Sequence, residues 1–193
     1  MRKPFIVTCS QDKTVRIWNY QERRQEIFEK FHQESEAVAC AIHPSGFHII
    51  VGFQDKIKLM NVFTNKLKPY HNIPLKQFRE VVFSNGGHMF AAAHNQQINV
   101  YNFYTCETPT NYKAHSNKIK SICWYEDDSG FISSDMGGSI YEWSIKDVTP
   151  GPQYYSKGTN FTCVLKIPNE PFFYAVGSDK LIKEIKKGQV KIY

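Results

Sequence analysis

Short segments in which apolar side chains end in a bulky residue return at a nearly constant interval along this chain. In successive steps of 41 or 42 residues, the clearest of them end at Trp18, Met60, Tyr101, Trp143 and Ile185. Between them lie further short runs in which apolar and polar positions alternate, the pattern of half-buried β-strands. Turn-forming residues separate these runs, and no segment of useful length has the 3.6-residue period of a helix.

This interval predicts the architecture. A period of about 40–45 residues built from short strands is typical of β-propeller blades, which bury their faces against their neighbours. We therefore predict an all-β chain that forms a partial propeller of about four and a half blades. Its repeats occupy residues 1–31, 32–72, 73–112, 113–156 and 157–193. The first repeat lacks its innermost strand, which favours part of a larger ring over a small closed ring.

Composition favours a soluble, intracellular protein. The mean hydropathy is −0.45 and aromatic residues make up 15% of the chain, values typical of a folded soluble protein. No apolar run approaches the roughly 20 residues of a membrane-spanning helix, so we expect no membrane association. The five cysteines form no Cys-x-x-Cys pair, and we expect them to be buried, reduced thiols.

The net charge of +6 arises from lysines scattered along the chain. Solvated strands and loops explain such a distribution, and the alternative is a basic face that meets an acidic partner. The sequence contains no zinc-ligand spacing, no Arg-Gly-Gly tract and no aromatic–basic module. Nucleic acid is therefore not an expected partner.

Motifs of catalysis are missing from the sequence. It contains no Gly-x-Ser-x-Gly, no P-loop and no His-Glu-x-x-His, and its seven histidines show no metal-ligand spacing. We therefore expect no enzymatic activity, no catalytic, cofactor or metal site, and no small-molecule substrate.

Two glutamates occupy a strand position that is apolar in the first three repeats. Ile17, Leu59 and Val100 precede the strand end there, and Glu142 and Glu184 replace them in the last two repeats. Because an unpaired buried carboxylate costs several kcal/mol, each glutamate needs a partner. A lysine, an arginine or a backbone amide of a neighbouring strand is one explanation. The other is a polar notch that receives a basic side chain of a bound protein.

Two of the repeats resemble the WD-repeat family. Residues 10–18, Ser-Gln-Asp-Lys-Thr-Val-Arg-Ile-Trp, are similar to the family's strand–turn–strand signature, and Lys113-Ala114-His115 stands where the family has Gly-His. The resemblance implies that His, Ser or Thr, Asp and Trp form a structural hydrogen-bonded chain inside each blade. The residues that match this chain are Ser10, Asp12 and Trp18 in the first repeat and His115, Ser133 and Trp143 in the fourth.

Several repeats depart from the family pattern, and the first of them has no histidine upstream. In the fourth repeat Gly137 replaces the turn aspartate, and Asp135 is the candidate substitute. The second and third repeats carry Met60 and Tyr101 instead of tryptophan, so their networks are expected to be incomplete.

A more specific resemblance links the chain to axonemal WD-repeat proteins of cilia and flagella, and in them to the second of two propellers. It rests on residues 3–20, 43–46, 51–56, 59–61, 83–88, 140–143 and 175–179. This resemblance implies a non-enzymatic scaffold or adaptor of the cytoskeleton in the motile-cilium axoneme. Its expected partners are components of inner dynein arms or of their regulatory complex, and tubulin. The alternative is a general intracellular WD-repeat adaptor in a non-ciliary complex.

Positions in or near predicted loops supply candidate partner contacts. They are Phe53, Arg79, Lys118 and Tyr141, together with Glu142 and Glu184 of the proposed notch.

Overall fold

The computed structural model describes residues 3–107, 109–186 and 189–193, which form strands and turns with no helix among them. The strands are β1 (Phe5–Cys9), β2 (Thr14–Asn19), β3 (Arg24–Lys30), β4 (Ala37–Ile42), β5 (His48–Phe53), β6 (Lys56–Val62), β7 (Leu67–Pro74), β8 (Phe78–Phe83), β9 (Met89–His94), β10 (Gln97–Asn102), β11 (Thr110–Lys113), β12 (Ile119–Trp124), β13 (Gly130–Asp135), β14 (Ser139–Ser144), β15 (Pro150–Tyr155), β16 (Phe161–Lys166), β17 (Phe173–Gly177), β18 (Ile182–Lys186) and β19 (Gln189–Ile192). In the described part of the chain, no helix could serve as a membrane span.

The strands form five antiparallel sheets, one with three strands and four with four. Strands that follow one another in the sequence are neighbours in each sheet, as in propeller blades. The predicted all-β, partial propeller is therefore confirmed. Among the residues that the structure describes, the first sheet consists of β1, β2 and β3, one strand fewer than each of the other sheets. The recurring strand ends that the sequence indicates, at Trp18, Met60, Tyr101, Trp143 and Ile185, fall within β2, β6, β10, β14 and β18.

Two compact units make up the chain, Met1–Phe83 and Ser84–Tyr193. In the first unit, the sheets β1–β3 and β4–β7 bury one apolar cluster that includes Ile17, Val51 and Phe53. Gly52 in β5 lies against the buried ring of Phe78, where an added Cβ would come within 1.7 Å of a ring carbon. Hydrogen is therefore the only substituent that fits at this position while the ring stays in place.

The second unit buries another apolar cluster, formed by the sheets β12–β15 and β16–β19. Its fully buried members include Ile132, Ile140, Phe161 and Ile185. The turn at residues 84–87 closes by a hydrogen bond from the Gly87 amide to the Ser84 carbonyl at 3.0 Å. Gly87 has φ +77° there, a backbone conformation that favours glycine.

The cysteines only partly match their expected burial. All five are free thiols, four of them half-buried, whereas Cys163 in β16 is exposed. The expectation of burial is therefore wrong for Cys163, because its side chain lies on the face of β16 opposite to the one that Phe161 and Val164 bury.

Candidate functional site

The fourth repeat contains a buried hydrogen-bonded chain of four side chains. His115 Nδ1 lies 2.8 Å from Asp135 Oδ2, and His115 Nε2 lies 2.6 Å from Ser133 Oγ, which also accepts the indole N–H of Trp143 at 2.7 Å. Every atom is satisfied when Nδ1–H donates to Asp135 and the Ser133 hydroxyl donates to Nε2. The structure thus brings His115, Ser133 and Trp143 together, with Asp135 in the role of the missing turn aspartate.

Asp135 accepts hydrogen bonds both from His115 and from the backbone of the turn that follows β13. Its Oδ1 accepts the backbone amides of Gly137 at 2.8 Å and Ser139 at 2.9 Å. Burial alone would raise the pKa of Asp135, but the hydrogen bonds from His115 and from these amides outweigh it and hold the pKa below its usual value. Ser, His and Asp also form hydrolase triads, yet Ser133 and Asp135 have no exposed surface. The network therefore fastens a turn rather than offering a nucleophile to a substrate.

In the first repeat the structure corrects one member of the expected network. Trp18 Nε1 donates to Thr8 Oγ1 at 3.0 Å, whereas Ser10 lies in the turn after β1 and accepts the Asp12 amide at 3.4 Å. Strand register is the reason, because Trp18 pairs with Ile6 and Thr8 is the next residue on the same face of β1. Ten residues separate Thr8 from Trp18, the interval that also separates Ser133 from Trp143, so the spacing in the sequence indicates the true partner.

Asp12 closes a surface turn and is not part of a buried chain. Its Oδ1 accepts the hydroxyl of Thr14 at 2.6 Å and the Thr14 amide at 2.9 Å. These hydrogen bonds, that of the hydroxyl first, lower the pKa of Asp12. The first repeat therefore has a Trp–Thr contact and an Asp–Thr contact that are separate, without the histidine that joins Asp135 to Ser133 in the fourth repeat.

Two other repeats fasten their strands with a lysine that the sequence analysis missed. Lys58, two residues before the end of the recurring strand segment, forms an ion pair with Glu34, whose other oxygen lies 2.7 Å from Lys56 Nζ. Lys183 occupies the same position in the fifth repeat and lies 2.6 Å from Asp179 Oδ2. Asp179 precedes Ile185 by six residues, as Asp12 precedes Trp18, so its role was readable from spacing.

The third repeat uses an amide at that position. His94 Nε2 lies 3.2 Å from Asn99 Oδ1, and the Asn99 amide donates to the hydroxyl of Tyr101 at 3.3 Å. The third repeat therefore lacks the Ser–Trp part of the family network and has a shorter network of His94, Asn99 and Tyr101 instead.

The four candidate loop contacts differ in their exposure. Phe53 is wrong as a partner contact, because its side chain is fully buried in the first unit and its ring meets Phe31 edge to face at a centroid distance of 5.7 Å. Arg79 and Lys118 are exposed. Tyr141 is half-buried and meets the ring of His115 edge to face at 4.7 Å. Arg79, Lys118 and Tyr141 remain candidates for partner contact.

The two glutamates have partners of a kind that the sequence analysis did not expect. Glu142 Oε2 accepts the hydroxyl of Tyr125 at 2.6 Å, and Glu184 Oε2 accepts that of Tyr193 at 2.8 Å. Both carboxylates are half-buried rather than enclosed. The expected lysine, arginine or backbone amide is therefore replaced by a tyrosine hydroxyl, which satisfies the carboxylate without cancelling its charge.

In the second unit, most exposed lysines of the loops lie at one end of the strands, and the exposed acidic residues lie at the other end. Exposed lysines occupy the connections that lead into β12 and β16 and the turn between β17 and β18, at Lys113, Lys118, Lys157 and Lys180. Exposed acids occupy the opposite end, at Glu107, Glu126, Asp127, Asp147 and Glu170. Lys146 and Lys186, the last residue of β18, are exposed cations at the acidic end. We call the first set the lysine end and the second the acidic end.

Backbone hydrogen bonds join the loops of the lysine end. The Ile119 amide donates to the Asn95 carbonyl and the Met136 amide to the Lys118 carbonyl, both at 3.0 Å. Within the described residues, none of the four lysines has an ion-pair partner. The lysine end is therefore a continuous surface whose charges are available to a partner.

Metal ligands do not gather in the described residues: no group of three or more His, Cys, Asp and Glu side chains there could hold an ion.

The family model and the related proteins that match this chain agree with each other. The family model described as "WD domain, G-beta repeat" matches residues 2–19 and 106–144. Cilia- and flagella-associated protein 57 of Mus musculus is 37% identical over 185 residues, which cover 96% of this chain and 15% of the mouse protein. Cilia- and flagella-associated protein 57 A of Tetrahymena thermophila is 47% identical over 154 residues, covering 79% of this chain and 12% of that protein.

The chain thus spans less than a sixth of the length of these relatives. A third relative, cilia- and flagella-associated protein 57 C of Tetrahymena thermophila, is 36% identical over 95% of the chain. The recurring strands, the five antiparallel sheets and the His–Ser–Trp network agree with these matches. The chain therefore belongs to the WD-repeat family of β-propeller proteins, and over most of its length it is similar to cilia- and flagella-associated protein 57.

Proposed function

We propose that this chain is a non-enzymatic scaffold domain of the motile-cilium axoneme, where it docks components of doublet microtubules such as inner dynein arms and their regulators. The observation that carries this proposal is the identity of 37% and 47% to proteins named for their association with cilia and flagella. The buried polar networks support it, because they fasten turns and leave no reactive side chain open to solvent at Ser133.

The lysine end of the second unit is the docking surface that we propose. Lys118 belongs to it, and Tyr141 lies behind it against His115. Its lysines are exposed, and backbone hydrogen bonds connect their loops, so a partner meets a preorganised basic surface. Acidic segments of axonemal proteins, those of tubulin among them, have the complementary charge. Arg79 in the first unit is a separate candidate contact.

Charge reversal at the lysine end tests this function. In the full chain, tagged and expressed in a ciliated cell, Lys118→Glu with Lys157→Glu is expected to lower the fraction retained on detergent-extracted axonemes by about fivefold, because two favourable charges become repulsive. The matched control is Lys66→Glu with Lys68→Glu, which makes the same change in charge at exposed positions of the first unit. This control is expected to be retained as well as the unmodified chain.

The outcomes separate the surface from the function. If the unmodified chain is absent from axonemes and collects elsewhere in the cell, the ciliary proposal is wrong and the general WD-repeat adaptor replaces it. If both double variants are retained equally, the domain is axonemal but its docking surface lies away from the lysine end. Retention that is insensitive to salt between low and physiological ionic strength would also count against a charged surface.

A further inference from the structure

A cleft of about 610 Å³ opens at the acidic end of the second unit. It lies where β12 and β14 end and β15 begins, and the residues that line it include Tyr125 and Glu142. Met89 at the start of β9 completes an apolar wall. The cleft therefore combines an apolar lining and the ring of Tyr125 with the carboxylates of Glu142 and Asp128, and Glu142 occupies a strand position that is apolar in the first three repeats.

Only one of the two carboxylate oxygens of Glu142 accepts a side-chain hydrogen bond among the described residues. Its Oε2 accepts the hydroxyl of Tyr125 at 2.6 Å, and this is the side-chain hydrogen bond that Glu142 makes among the described residues. Burial and the adjacent Glu142 carboxylate raise the pKa of Tyr125, so the tyrosine remains a neutral donor. The second carboxylate oxygen keeps its hydrogen-bonding capacity, and the carboxylate keeps a charge that no cation of the described residues pairs with.

The other charged groups of the cleft are already committed or lie at its rim. Asp128 Oδ1 and Oδ2 accept the backbone amides of Asn85 and Gly86, each at 2.7 Å, and His88 Nδ1 lies 3.7 Å from Asp128. Lys146, also in the lining, is exposed. The open charge inside the cleft is therefore that of Glu142.

The surroundings of the cleft add to its negative field. Glu126, Asp127 and Asp147 are exposed on the same end of the unit. A partly enclosed cleft with low-dielectric walls focuses such a field, so cations are concentrated at its mouth. Glu184 lacks this setting, because Tyr174 and Tyr193 both direct their hydroxyls to its Oε2, at 3.5 Å and 2.8 Å.

We propose that this cleft binds a cationic side chain, arginine or lysine, of a partner polypeptide. The cation forms a charge-assisted hydrogen bond with the free oxygen of Glu142, and the stem of the side chain packs on Tyr125 and Met89. A guanidinium group also gains from the face of the tyrosine ring. The site is distinct from the lysine end and does not rest on the ciliary function, since it is defined by the second unit alone.

Titration with single amino acids tests the site directly. Amide resonances of Gly151 and Ser144, both in the cleft lining, are followed by NMR as N-acetyl-arginine amide is added to the chain. We expect saturable shifts with arginine amide and about tenfold weaker binding of N-acetyl-citrulline amide, which has the same shape without the charge. Equal binding of the two compounds would show that charge recognition is absent and would overturn the proposal.

Two variants with the same chemical change locate the interaction. Glu142→Gln keeps an oxygen that accepts from Tyr125, so the fold is retained, and it is expected to weaken arginine-amide binding about tenfold. Glu184→Gln makes the same change at the equivalent position of the fifth repeat and is expected to leave the affinity unchanged. If Glu142→Gln binds as the unmodified chain does, or if both variants lose affinity equally, the assignment to this cleft is wrong.

Discussion

Gly52→Val is expected to lower the free energy of unfolding by roughly 3 kcal/mol or more, which leaves little of the stability of a small domain. The reason is distance. A Cβ on Gly52 would lie 1.7 Å, 2.2 Å and 2.6 Å from three carbons of the Phe78 ring. That ring is 3% exposed, so it cannot turn away without opening the contact between β5 and β8. Urea unfolding followed by circular dichroism measures the loss.

A second substitution separates the steric cause from a general cost of replacing glycine. Phe78→Leu removes ring atoms at the clash, so adding it to Gly52→Val is expected to cost less than the sum of the two single changes. Gly158→Ala is the control. No atom lies within 4 Å of its added Cβ, and only its φ of +80° is unfavourable, at about 1 kcal/mol. Strict additivity of Gly52→Val and Phe78→Leu would refute the proposed contact.

Asp135→Ala is expected to produce the second large effect, a loss of about 3–5 kcal/mol of unfolding free energy. The substitution leaves His115 Nδ1–H and the amides of Gly137 and Ser139 without their acceptor, and the contacts of His115 and Ser139 with Asp135 are buried. Asp12→Ala removes the exposed turn aspartate of the first repeat and is expected to cost much less, because water replaces the lost acceptor. Equal losses for the two variants would contradict the buried network.

The effect of Asp135 should also depend on pH. Hydrogen bonds hold the pKa of Asp135 in the folded chain below 3.8, its usual value. The folded state therefore binds this proton less readily than the unfolded chain, and the contribution of Asp135 is complete above pH 3.8 and declines as the pH falls through the lowered pKa. The difference in stability between the unmodified chain and Asp135→Ala is expected to be constant near neutral pH and to shrink in strong acid. A stability difference between the two proteins that grows with acidification would contradict this prediction.

The fold was predictable because one interval governs it. Steps of 41 or 42 residues give β2, β6, β10, β14 and β18 the same position in successive repeats. Such a constant step can be read from the sequence without knowing which distant residues are in contact. The family pattern indicates Ser10 as the partner of Trp18. Strand pairing instead selects the residue on the same face, and this is Thr8.

Two further contacts that escaped prediction join residues with no fixed spacing. Glu34 reaches Lys58 from the connection before β4, and Tyr125 reaches Glu142 across β13. Such pairs depend on where loops fold back, which periodicity does not encode. Phe53 was misplaced for a related reason, since a bulky residue beside a predicted turn is equally compatible with a loop anchor and with a core side chain.

Opposite charge at the two ends of the second unit gives it an electric dipole that runs along its strands. A negatively charged filament exerts a torque on such a dipole and turns the lysine end towards itself before any side chain makes contact. This alignment acts within about 8 Å at physiological ionic strength, so it shortens the rotational search that limits protein association. The charge arrangement would then set how quickly the proposed docking surface meets an acidic partner.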